Sequence, residues 1–169
     1  SGEYQQSALT QQNAYYSSLY GANPSAYIEK EFEASPLNRV NRQAAQGNAW
    51  QMGSGKEQKF SRRPNTTEEA VRVFRVNQSG LPESNSTFLA NDLWVEITVD
   101  EDDKSTLTYT DKLDRVVLKK VQNTAAPTDE GHSGWLCTYY VYDVFSRLSV
   151  VIPPRATEII ADANWSTDI

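Results

Sequence analysis

The chain holds one histidine, His132, and one cysteine, Cys137, so any nucleophile–base pair of the thiol type must be built from these two. His132 sits in the turn-like stretch Asp129-Glu130-Gly131-His132-Ser133-Gly134, and Cys137 follows beside Leu136 in an apparent strand. Thiol catalysis needs both side chains within hydrogen-bond reach and a third group to orient the base. A strand cysteine among apolar neighbours is the ordinary setting of a buried, inert thiol. Gly131-His132-Ser133-Gly134 also lacks the strand–elbow–helix context of a Gly-x-Ser-x-Gly hydrolase. The densest acidic cluster is Asp100-Glu101-Asp102-Asp103. Its oxygens suit Ca²⁺, but the glycine and distal glutamate of an EF-hand are missing, and the cluster reads as a solvated hairpin turn. Nothing singles out a pair of carboxylates for glycoside hydrolysis among the 22 acids. Sugar rings stack on aromatic faces, and Trp50, Trp94, Trp135 and Trp165 are the candidates. Trp94 and Trp135 fall at strand starts and read as sheet packing; Trp50 and Trp165 lie in less regular segments and are the candidate sugar-stacking residues. Asn65, Asn77, Asn85 and Asn164 match the glycosylation acceptor pattern, as chance allows in a chain rich in Asn and Ser. No catalytic residue, metal site or cofactor is assigned.

The elements that would position these residues are mostly strands. With 169 residues the chain is long enough for one domain with a core. Its net charge of −6 argues against a nucleic-acid partner bound through phosphates. No apolar run is long enough to span a membrane, and one cysteine excludes an internal disulfide. No signal-peptide pattern opens the chain, and its single Met is Met52; the sequence reads as a piece of a longer polypeptide. Residues 7 to 20 have helical spacing, with Ser7 as N-cap and Gly21 as stop. This is expected to be the only substantial helix. Thr66-x-x-Glu69 fits a capping box and predicts a helical turn. From residue 26 the period is two, and β-branched and aromatic residues predict strands over 27–33, 58–62, 71–76, 94–99, 106–110, 116–121, 138–142 and 148–152. Strand follows strand without βα alternation, so the sheet should be antiparallel. The tail after Pro153-Pro154 turns polar, although Ile159, Ile160 and Trp165 could dock.

Three segments share one pattern. Phe32-Glu33 leads to Asn38-Arg39-Val40, Tyr109-Thr110-Asp111 to Asp114-Arg115-Val116, and Tyr142-Asp143 to Ser146-Arg147-Leu148. Each runs aromatic, acid, turn, large apolar residue, small polar residue, Arg, and then an apolar β residue. The acid can cap turn amides, the small polar residue tolerates unusual backbone, and Arg can pair with the acid or stack on the aromatic. Hairpins of this kind stack side by side.

The Tyr109–Val117 and Tyr142–Leu148 segments resemble degenerate YD repeats, the Tyr-Asp-x-x-Gly-Arg unit of the RHS family. Phe32 to Val40, Asn48-Ala49-Trp50, Asp111 to Lys119 and Thr138 to Pro154 also resemble the region that precedes the repeat array in large bacterial RHS-type cell-surface proteins. The family's turn glycine is replaced by Asn38, Asp114 and Ser146, which leaves the turn geometry open. The resemblance implies a β shell that often encloses a C-terminal effector, and an extracellular or cell-surface location. It supplies no catalytic residue.

The expected fold is therefore mainly β, with antiparallel hairpins of YD-repeat type and one N-terminal α-helix. Residues 1–25 form a helical lead-in, 26–154 the β domain with its degenerate units, and 155–169 a polar tail. The expected function is a non-enzymatic structural segment whose partners are the adjoining repeats of the parent polypeptide and a C-terminal effector cargo, with no nucleic acid. The alternative is a carbohydrate-binding module that takes glycans through exposed Trp and Tyr.

Overall fold

The computed structural model describes residues 7–21, 25–128 and 131–166. It is mainly antiparallel β, with ten strands in two sheets and two helices. The chain clusters into two compact units: Ser1–Phe60 with Val99–Asp103, and Ser61–Thr98 with Lys104–Ile169.

In the first unit, helix α1 (Ala8–Tyr20) stops as expected at Gly21, whose φ of 91° suits glycine and whose N–H donates to Ser17 O at 3.1 Å. Ser7 does not cap the helix backbone; its Oγ takes the Gln11 side-chain amide instead, at 3.0 Å. Strand β1 (Glu29–Phe32) is shorter than the predicted 27–33 and pairs antiparallel with β2 (Val40–Ala44). β2 in turn pairs with the start of β3 (Gln58–Pro64). β2 was not expected, because Val40-Asn41-Arg42-Gln43-Ala44 has no apolar alternation. The backbone ladder on both edges holds it, and Arg42 ties it to Glu31 at 2.7 Å and to the buried Glu57 at 2.9 Å. The acidic turn belongs to this unit as well. Lys56 reaches Asp102 at 3.2 Å, Lys59 reaches Asp103 at 3.4 Å, and the Gln58 amide donates to Glu101 at 3.0 Å.

The second unit holds the core. Strands β6 (Trp94–Val99), β7 (Ser105–Thr110), β8 (Val116–Gln122), β9 (Trp135–Tyr142) and β10 (Leu148–Ile152) follow β3 in sheet order. A separate ribbon joins β4 (Arg72–Val76) to β5 (Pro82–Thr87). β9 buries every second side chain: Trp135, Cys137, Tyr139 and Val141 point inward. They meet Leu107 and Tyr109 of β7 and Leu118 of β8. Burying an apolar side chain of this size contributes about 2 kcal/mol. β5 was missed because Pro82-Glu83-Ser84-Asn85-Ser86-Thr87 is polar and opens on a proline; its support comes from β4, where Arg72 donates to the Ser84 hydroxyl and carbonyl.

A second helix corrects the expectation of a single one. Helix α2 (Pro154–Asp162) occupies the segment read as a polar tail. Pro154 stands in its first turn, where proline's missing N–H costs nothing, and Thr157 and Ile160 are buried one turn apart. The predicted helical turn at Thr66 is a plain turn instead. Glu69 does accept the Thr66 N–H at 2.8 Å, as in a capping box, but Ala70 at φ 47° ends the turn before a helix can form.

Candidate functional site

Four turns in the second unit, or at its edge, share one construction. In Asp111–Arg115, which joins β7 to β8, the Asp111 carbonyl accepts the Asp114 N–H at 3.1 Å and the Asp111 N–H donates to Arg115 O at 2.9 Å. Asp111 Oδ1 takes the backbone N–H groups of Leu113 (2.8 Å) and Arg115 (3.0 Å), and Oδ2 takes the Arg115 guanidinium. Asp143–Arg147, which joins β9 to β10, repeats this bond for bond. Asn77–Leu81, between β4 and β5, makes the same backbone and turn-amide bonds with an amide oxygen. In Asp100–Lys104, between β6 and β7, the Asp103 N–H donates to Asp100 O at 3.1 Å and the Asp102 N–H to Asp100 Oδ1 at 3.0 Å. The fourth residue is left-handed in every case: Gly80 at φ 80°, Asp103 and Asp114 at 57°, and Ser146 at 60°. This is a type I turn closed by a left-handed residue, a three-residue hairpin loop with a bulge.

The first-unit turn between β1 and β2 is two residues longer and ends alike. Asn38 has φ 48°, the Glu33 N–H donates to Arg39 O, and Glu33 binds the Arg39 guanidinium through both oxygens, at 2.9 and 3.0 Å. Asn38, Asp114 and Ser146 all take the left-handed backbone that glycine favours. Two of the five turns, at Asn77 and Asp100, read as turns in the sequence but do not group with the other three, because they lack the aromatic and the Arg. The signal that finds them is an Asn or Asp followed three residues later by Gly or Asp.

These bonds set the carboxyls. Burial pushes the Asp111 carboxyl up, but Arg115 and the turn amides more than offset it and hold the group below the usual range. The Arg147 backbone N–H and guanidinium, with the Phe145 N–H, do the same for Asp143.

Arg115 also links two neighbouring turns. Its Nη1 donates to Ser146 Oγ at 3.1 Å, and its guanidinium lies 5.0 Å from the centre of the Tyr142 ring. The Tyr142 hydroxyl donates to Val116 O at 3.1 Å. Arg115 and Tyr142, with Phe74 and Phe88, line a groove of about 610 Å³. Tyr109 does not play Tyr142's part. It lies two residues before its acid, and so faces the core and donates its hydroxyl to Glu69 at 2.7 Å. Glu69 is buried with Arg63 at 2.8 Å. Phe32, directly before Glu33, is exposed on β1.

The remaining candidates are dispersed. Trp50 is 41% exposed in the first unit, where its backbone N–H donates to Gly47 O at 2.9 Å. Trp165 belongs to the second unit, and its ring packs on His132 at 4.8 Å and on Phe74 and Tyr139 at 6.3 Å. Trp94 is exposed on β6 rather than packed, whereas Trp135 is buried. His132 Nε2 lies 2.6 Å from the Tyr139 hydroxyl, while Cys137 Sγ faces the Trp135 carbonyl at 3.9 Å, and burial pushes the thiol up to about 11. Asn65 and Asn77 spend their side-chain oxygens on backbone N–H groups. The buried Lys120 donates to Gly131 O at 2.5 Å and lies 5.4 Å over the Tyr109 ring. No helix among the described residues is long and apolar enough to cross a membrane.

Residues 1–64 match a domain of unknown function, DUF6443. The DUF6443 match takes in the Glu33–Arg39 turn and ends where β3 ends. No curated protein and no solved structure matches the chain.

Proposed function

We propose that the chain is a non-enzymatic structural segment of a larger RHS/YD-repeat-like surface or secreted protein, and that its strands form part of a β shell of the kind that encloses a C-terminal effector. The observation that carries this reading is the repeated turn, in which acid, left-handed residue and Arg recur with the same bonds in hairpins that differ in sequence. Two further facts support it. Arg115 couples one such turn to the next, as stacked hairpins require. β10 pairs with β9 on one side only, and no described strand covers its other edge. An open edge of this kind is a template for further strands; in the intact polypeptide, adjoining repeats would take that place.

The test is sedimentation of the chain over a range of concentrations, with hydrogen exchange of the β10 amides. Concentration-dependent association that Val151→Lys weakens is expected. A strict monomer with protected β10 amides overturns the reading. A glycan array is the second arm: a saturable hit lost in Trp50→Ala or Trp165→Ala, with the fold intact, would replace the scaffold with a carbohydrate-binding module.

A further inference from the structure

The contact between the last two turns specifies what the open edge of β10 accepts. Continuing the register of β8 and β9, in which Leu118 lies opposite Tyr139 and Lys119 opposite Thr138, sets Arg115 opposite Tyr142. In that position Arg115 does three things at once: it binds its own Asp111, lies over the neighbouring aromatic ring, and donates to the neighbouring left-handed residue. Arg147 occupies the same place at the start of β10. It binds its own Asp143 at 2.8 Å through Nε. Its guanidinium lies over Phe145 of the same turn, and its side chain is 72% exposed where that of Arg115 is 27% exposed. No hydrogen bond from its Nη1 is found among the described residues.

We infer that Arg147 is the receiving half of an arginine clamp, and that the β10 edge takes a hairpin of defined chemistry. That partner carries an aromatic residue directly before the turn acid and an oxygen-bearing side chain at the left-handed position, and it pairs antiparallel to β10 with the aromatic opposite Arg147. The inference rests on the scaffold reading and adds the residues that select the partner. The chain's own hairpin 138–151 carries the required pattern in Tyr142, Asp143 and Ser146. Guanidinium is suited to this double duty because it stacks flat and donates in its plane, which an ammonium cannot do.

The test titrates the isotope-labelled full chain with a backbone-cyclised peptide of residues 138–151 and follows the resonances of residues 147–151. Binding at β10 is expected, about tenfold weaker for a peptide carrying Tyr142→Leu, and weaker by a similar factor for the protein variant Arg147→Lys. The peptide variant leaves the protein untouched, so a folding defect cannot imitate the result. Equal binding of both peptides overturns the clamp and leaves the scaffold reading standing. Absence of binding while the chain self-associates shows that a second copy fills the edge, which also overturns the clamp. Absence of both overturns the scaffold reading as well.

Discussion

At the scale of the residue, His132 is a buried imidazole whose Nε2 lies 2.6 Å from the Tyr139 hydroxyl, which also accepts the Arg72 N–H at 3.0 Å. Burial favours its neutral form. Burial, with Lys120 and Arg72 nearby, brings its pKa down from 6.5 to about 4. The unfolded chain therefore binds one more proton than the folded chain between those values. Stability from this group is full above about pH 6.5 and is lost as pH falls toward 4, by at most about 3 kcal/mol. Urea unfolding at about pH 7 and about pH 5 should show the loss, and His132→Gln should flatten it. Parallel pH curves for the two proteins would refute this assignment to His132. The turn carboxyls, held low by their arginines, give way further down the scale, because a lowered acid pKa supports the fold above its unfolded value and fails as pH drops through the folded one.

At the scale of the element, the hairpin turn is the unit that can be tuned. A non-glycine residue in the left-handed region costs about 1 kcal/mol, less for Asp or Asn. Asp114→Gly should raise stability by a few tenths to about 1 kcal/mol, because no side-chain bond of Asp114 is found among the described residues. Ser146→Gly relieves the same backbone but removes the bond from Arg115, so its melting temperature should move little. Equal shifts for the two variants would mean that the Arg115–Ser146 bond carries no weight. What the sequence revealed divides along the same line. Strands with apolar alternation, such as β7 to β10, and a helix ended by Gly21 were legible because burial and backbone freedom leave marks on residue type. β2 and β5 left none, since backbone ladders and Arg side chains hold them. α2 was hidden by Pro153-Pro154, which reads as a breaker although proline is at home in a first turn. Of the candidate site, the three Arg-bearing turns were visible. Their shared geometry was not, because Asn38, Asp114 and Ser146 tolerate a left-handed backbone without requiring it. The placement of Trp165 on His132 depends on a contact 33 positions apart, beyond any local pattern.

At the scale of the whole molecule, the chain passes between its two units three times, after Phe60, Thr98 and Asp103. Ala44 is the one hydrophobic residue of the first unit that is buried among the described residues, so three short strands there have almost no apolar core. Sheets of that size are marginal without packing. Residues 1–64 produced alone should give no cooperative melt and poorly dispersed amide resonances; a sharp melt would show that the stretch is self-sufficient. The acidic tip 99–103 therefore completes the first unit from a distant part of the chain. A chain cut after residue 64 would leave Lys56, Gln58 and Lys59 without Asp102, Glu101 and Asp103. The compact unit reaches past the matching stretch to the tip of the β6–β7 hairpin.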